Sequence, residues 1–162
     1  MKSITRAGVV LGLGLGGFLD GIVLHQILGW HHLICVTESC AAETVAGLKQ
    51  QVRQDGFFHL ATWLLTVVGI GLLFSAARKS PGATWREVGG AMLGGWGAFN
   101  LIEGLVDHQL LGIHHVRPGH PHEFLFDMLF LVSGVLLILA GAGWARAGAT
   151  DSAPRRNDPT AR

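Results

Sequence analysis

The sequence predicts an all-α polytopic membrane protein, a four-transmembrane-helix bundle built from two parallel two-helix repeats. Three observations lead there. Apolar residues make up 49% of the chain and charged ones only 14%, with 24 glycines among them, the composition of helices packed closely in lipid. Four apolar runs follow one another, each long enough to cross a bilayer at about 1.5 Å per residue. Finally, a stretch that reads DGIVLHQILGWHHL from Asp20 returns without a gap from Glu103 as EGLVDHQLLGIHHV, with eight of fourteen positions identical and four closely exchanged. Six of the nine histidines thereby fall into two equivalent H-x5-H-H frames: His25, His31 and His32 in one, His108, His114 and His115 in the other.

The first run, residues 7–30, follows Lys2 and Arg6. It begins like a signal peptide, but no small-residue cleavage site follows and it ends in the repeated motif, so it reads as a retained helix. Gly8, Gly12 and Gly16 recur at every fourth position, a small-residue surface for a neighbouring helix. Within residues 33–54, Val45, Leu48 and Val52 stand at helical spacing beside Lys49 and Arg53, which suggests a short helix lying on the membrane surface. Asp55 and Gly56 then read as a cap and turn before the second run, residues 57–77.

Arg78, Lys79, Ser80, Pro81 and Gly82 form a basic turn, and the third segment, residues 87–113, opens on Gly89, Gly90, Gly94, Gly95 and Gly97. A tight loop at 117–122 precedes the fourth run, residues 123–144. Residues 1–146 thus make the transmembrane domain, with repeat one at about 7–77 and repeat two at about 87–145, related by an axis along the membrane normal. The polar tail 147–162, with Arg155, Arg156 and Arg162, reads as disordered. Positive charge at the N-terminus, the Arg78 turn and the tail places both termini in the cytoplasm and both histidine motifs toward the outer face. Trp30, Trp85 and Trp144 read as interfacial anchors.

Ionisable groups inside a membrane are costly, so they pair, line a cavity or bind an ion. On α-helical geometry His25, His59, His108 and Asp127 come from four helices at similar depth, and three imidazoles with a carboxylate form a first shell for a transition metal: zinc, iron or copper. Asp20 and Glu103 fall about 140° around their helices from His25 and His108. With Asp107 they are candidates to orient the imidazoles, to complete a second metal position or to act as general base. His31, His32, His114 and His115 are secondary ligand candidates, while His120 and His122 read as solvated. Gln26 and Gln109 are placed to hydrogen-bond across the repeat axis. Cys35 and Cys40, at C-x4-C spacing, suit a disulfide or a pair of soft metal ligands. A near-zero net charge argues against nucleic acid as a partner, and no nucleophile triad, phosphate loop or dinucleotide fingerprint is present.

At GGFLDGIVLHQILGWHHL, DGFFHLATW and FNLIEGLVDHQLLGIHHV the chain resembles a family of bacterial membrane proteins catalogued as a domain of unknown function. The resemblance runs from Gly8 to Trp144. It implies a multi-pass protein of the bacterial inner membrane with these histidines as its signature and, through an association with cytochrome oxidase assembly factors, copper or haem traffic. It implies no activity. The residues leave several functions open. One is a membrane metalloprotein or metalloenzyme acting on a lipid or quinone-like ligand from the bilayer. Another is an electron carrier with haem b held by His25 and His108. A third is a copper handler with a respiratory assembly partner, and a fourth is a proton path or scaffold. A homo-oligomer is compatible with each.

Overall fold

A computed structural model describes residues 3–33, 44–79 and 82–151, and every regular element among them is helical. α1 spans Ser3–Asp20 and runs directly into a π-helix, π1, at Gly21–Ile27. α2 spans Val45–Lys79, α3 Trp85–Glu103 with its own π-helical continuation π2 at Gly104–Leu110, and α4 Glu123–Asp151. Three helical segments are long and apolar enough to cross a membrane: Ser3–Ile27, Val45–Lys79 and Glu123–Gly148. The segment made by α3 and π2 has comparable length, but glycines and polar residues dilute its apolarity.

α1 packs on both α2 and α3, and α4 packs on α3, so α1 and α3 are central and α2 and α4 are flanking. Small residues set these approaches. Gly8 and Gly16 of α1 meet Ala91 and Trp96 of α3 in ascending order, so these two helices run parallel. Gly17, Gly14 and Gly69 pair Thr62, Thr66 and Leu11 in the reverse sense, as Gly90 and Gly97 do with Gly141 and Gly134, so each central helix is antiparallel to its flanking one. A side chain at Gly12 would collide with the Met92 backbone, which bears out the close approach expected of the every-fourth-residue glycines.

Burial is inverted relative to a protein in water. Beside the glycines, the interior holds Asp20, His25, Asp55, Thr62, Asn100, Glu103, His108 and Asp127. Large apolar side chains such as Leu64, Val68, Leu136 and Leu139 point outward. Water would penalise so much continuous apolar surface, whereas lipid accepts it.

Three local expectations change. Residues 45–54 are not a separate surface helix but the first part of the 35-residue α2, about 52 Å long. Within it Gly47, Gln51 and Asp55, spaced by four, face inward while Val45, Leu48 and Val52 face out. Asp55 is consequently no cap: it lies mid-helix, and its carboxylate is engaged by other segments. At the far end α4 continues to Asp151, past the expected start of the tail at 147; residues 152–162 lie outside the described residues, as do Cys35 and Cys40. α3 starts from a capping box in which Thr84 Oγ1 accepts from Glu87 N–H and Glu87 Oε2 accepts from Thr84 N–H.

Candidate metal centre

A change of helix type assembles the centre. In an α-helix Asp20 and His25, five residues apart, diverge by about 140°. α1 instead gives way after Asp20 to π1, whose i→i+5 pattern stacks residues five apart, and Asp20 Oδ2 lies 3.5 Å from His25 Nε2. π2 begins just after Glu103 and does the same for Glu103 and His108. Each π-helix then stops at a left-handed glycine, Gly29 with φ 57° and Gly112 with φ 56°. Trp30 N–H reaches back to Leu24 O (3.0 Å) and Ile113 N–H to Asp107 O (2.9 Å), a glycine-terminated cap of the kind that satisfies the last carbonyls.

These reversals carry His31 and His114 off the helices and inward. His31 packs 4.5 Å from His25 and His114 4.9 Å from His108, measured between ring centroids. His31 and His114 stack on each other at 4.5 Å with 15° between their planes. Two groups of ligand atoms result, each with all members within 4.8 Å of one another: Asp20, His25, His31 and Glu103, and Glu103, His108 and His114. Every member is buried. Glu103 belongs to both.

The second nitrogens of these rings are held from behind. Asp55 Oδ1 accepts from His25 Nδ1 at 2.9 Å, while its other oxygen accepts from His32 Nδ1 at 2.6 Å and Leu33 N–H also bonds Oδ1. Asp127 serves the other half alike, with His115 Nδ1 at 2.6 Å, Val116 N–H at 2.9 Å and His108 Nδ1 at 3.6 Å. His31 and His114 are held crosswise: His31 Nδ1 donates to Val116 O (2.9 Å) and His114 Nδ1 to Leu33 O (3.2 Å). A carbonyl or an ionised carboxylate can only accept, so Nδ1 of His25, His31 and His114 carries the proton. In the neutral ring Nε2 then presents a lone pair. Burial, reinforced by the neighbouring His114, pushes the His31 imidazole down to about 3, which keeps that ring neutral.

Nine buried side-chain nitrogen and oxygen atoms lack a hydrogen-bond partner among the described residues, and seven belong to this cluster. They are Asp20 Oδ2, His25 Nε2, His31 Nε2, Glu103 Oε2, both ring nitrogens of His108, and His114 Nε2. Buried polar groups are nearly always satisfied, so these atoms have room to take a water, an ion or a ligand.

The sequence-derived ligand set is partly brought together. His25 and His108 are in the cluster, and His31 and His114 join them, as do Asp20 and Glu103. His59 is apart from both donor groups: its Nδ1 donates to Asp55 O at 2.7 Å and its ring lies over Gly21. Leu131 takes the corresponding seat over Gly104. Asp127 is fully buried behind the rings rather than among the converging donors. Asp107 offers its backbone carbonyl to Ile113 and is half-buried outside both groups. His32 and His115 remain on Asp55 and Asp127, partly exposed. Gln109 bonds Asp127 (3.3 Å) while Gln26 is exposed, so the expected glutamine pair does not form. Trp30 packs on Phe126 beneath Arg117.

The sequence reading takes Asp55 for a cap, whereas in the fold its carboxylate holds His25, His32 and the Leu33 N–H. The available signal was the matching D-x-x-F in D55GFF and D127MLF, since Phe58 stacks on His25 (5.1 Å) as Phe130 packs on His108 (5.4 Å).

No curated protein and no solved structure matches the chain. A family model does match, over residues 7–148, and its description agrees with the outward apolar surface and the membrane-length helices: the chain belongs to the family described as "Predicted membrane protein (DUF2243)".

Proposed function

We propose that this membrane protein binds metal, with His25, His31, His108 and His114 as imidazole ligands and Asp20 and Glu103 as carboxylate ligands. The observation that carries the reading is the convergence of unpartnered Nε2 and carboxylate atoms, with the rings of His25, His31 and His114 anchored through Nδ1. Ligating histidines characteristically donate their other N–H to a carboxylate or carbonyl. Glu103 belongs to both donor groups, so the cluster has capacity for two ions with Glu103 between them. Asp55 and Asp127 orient the imidazoles. Four imidazoles and two carboxylates suit borderline divalent cations, iron, zinc or copper(II), better than copper(I), which favours sulfur. A bound ion would supply Lewis acidity there and, if iron or copper, one-electron chemistry.

Haem b between His25 and His108 fits less well. A porphyrin needs an open slot between its two axial rings, and here His31 and His114 occupy the space, with His31 4.5 Å from His25 and 6.0 Å from His108.

The proposed architecture is a four-helix bundle of two repeats in which α3 with π2 is the fourth span, buried between α1 and α4. The paired π-helices, paired glycine caps and the Asp55/Asp127 correspondence support it. Arg6 and Lys79 line one hollow, and Gly148 of α4 abuts Arg86, so basic residues of α1, α2 and α3 lie at the ends of those helices toward the start of α1 and the end of α4. That end is assigned to the cytoplasm of a bacterial inner membrane and the histidine end to the outer face.

The test is metal analysis of untagged protein purified in mild detergent, alongside a His31→Ala, His114→Ala double variant. One or two equivalents of a single metal, lost in the variant, are expected. Folded wild type that neither retains nor takes up metal would leave the histidines as hydrogen-bonded glue, with His25 sharing a proton between Asp20 and Asp55.

A further inference from the structure

An apolar groove of about 520 Å3 opens between α1 and α3, walled by Leu15, Leu19 and Ile22 on one side and Met92, Leu93 and Trp96 on the other. Leu15, Leu19 and Ile22 are also partly exposed at the outer surface that faces lipid. Leu19 and Trp96 wall a second, smaller hollow of about 220 Å3, which runs inward to Asp20, Asn100 and Phe130. Phe130 is the ring packed on His108, and Asp20 is a member of the donor cluster. A chain lying in the groove would therefore carry its head to the edge of the centre.

The hollow states what that head must be. Asn100 is 6% exposed, and its Nδ2 donates to Ser133 Oγ at 3.0 Å. Ser133 spends its own proton on Phe130 O at 2.6 Å, so it can only accept from Asn100, and the amide orientation follows. Asn100 Oδ1 is left as a buried acceptor without a partner, whereas Asp20 Oδ2 lies against His25 Nε2 in the donor cluster. A buried free acceptor calls for a hydroxyl donor. No basic residue lines either hollow, so an anionic phosphate head would meet Asp20 without a counter-charge. Trp96 and Phe130 offer flat aromatic walls on which a ring can pack.

We propose that the groove and hollow bind a quinol-type amphiphile, its alkyl chain between α1 and α3 and its hydroxyl-bearing ring against Asn100 and Asp20. This deepens the metal reading by naming the class of molecule brought to the centre, and it rests on that reading only for what the ring meets, not for its binding.

Decylubiquinol is the probe, titrated into protein in lipid nanodiscs and followed by quenching of tryptophan fluorescence, with its dimethyl ether, which lacks hydroxyl donors, as comparison. Saturable quenching by the quinol and about tenfold weaker binding of the ether are expected, since the ether leaves Asn100 Oδ1 unpaired. Asn100→Leu should abolish that preference. Leu19→Phe, a change at a half-exposed wall, should weaken both ligands by narrowing the passage. Equal binding of quinol and ether to wild type, or no saturable quenching, overturns the proposal; so does Leu19→Phe protein that binds as wild type. Should Asn100→Leu fail to fold, the ether comparison and Leu19→Phe decide. Metal content is measured on the same samples before and after chelation. Quinol binding to protein that holds no metal would sink the metal reading alone.

Discussion

Asp55 holds His25 and His32 with a single carboxylate, Asp127 holds His115 with His108 Nδ1 3.6 Å away, and each also accepts a backbone N–H. Removing either charge leaves imidazoles free to turn and to change tautomer. Asp55→Asn and Asp127→Asn should therefore lower metal affinity about 10- to 100-fold while the helices persist, measured by competition against a chromogenic chelator. His59→Leu is the counterpart. It installs the residue that the other half already uses at Leu131, so metal content should stay at the wild-type level, and a large loss would return His59 to the ligand set. At Gly29 and Gly112 the conformation rather than the space is limiting: nothing lies within 4 Å of an added Cβ, but φ is positive. Ala at either position should cost about 1–2 kcal/mol, seen as a lower unfolding midpoint in detergent.

Among the elements, the two π-helices do what no α-helix of this sequence could: they put a carboxylate and a histidine five apart on one face. Deleting Leu105, an exposed residue in π2, returns that segment toward α register and rotates Glu103 away from His108. Helical content should hold by circular dichroism while metal content falls; wild-type metal occupancy in that variant would dismiss the role given to π2. The helix contacts make a separate prediction. Gly12→Leu collides with the Met92 backbone and should disrupt the α1–α3 pair, whereas Gly71→Ala meets open space and should stabilise α2 by about 0.5–1 kcal/mol. Three of the four expected spans were legible because lipid demands long apolar runs and close packing demands small residues. The union of residues 45–54 with the rest of α2 was not, because Asp55 reads as a local cap until its distant partners are known.

For the molecule as a whole, the crosswise bonds of His31 to Val116 and His114 to Leu33 tie the two halves together at the centre itself. Metal bound there links to global stability, because the unfolded chain offers no assembled site. Free metal at about 100 times its dissociation constant should add about 2.7 kcal/mol. A chelator should thus lower the thermal midpoint and restored metal should raise it, with the His31→Ala, His114→Ala protein indifferent to both.

The sequence by itself determined the membrane character, three helices long and apolar enough to cross a membrane, and the duplicated motif. These follow from composition, run length and self-similarity, all local or additive properties of the chain. Only the tertiary structure decided which groups converge. A reading at 100° per residue puts Asp20 and Glu103 on the wrong face, keeps His31 and His114 on their helices and leaves Asp55 as a cap. The π register, the glycine reversals and the exchange of Nδ1 partners between residues more than eighty apart depend on what packs behind each ring, and no window of sequence contains that information.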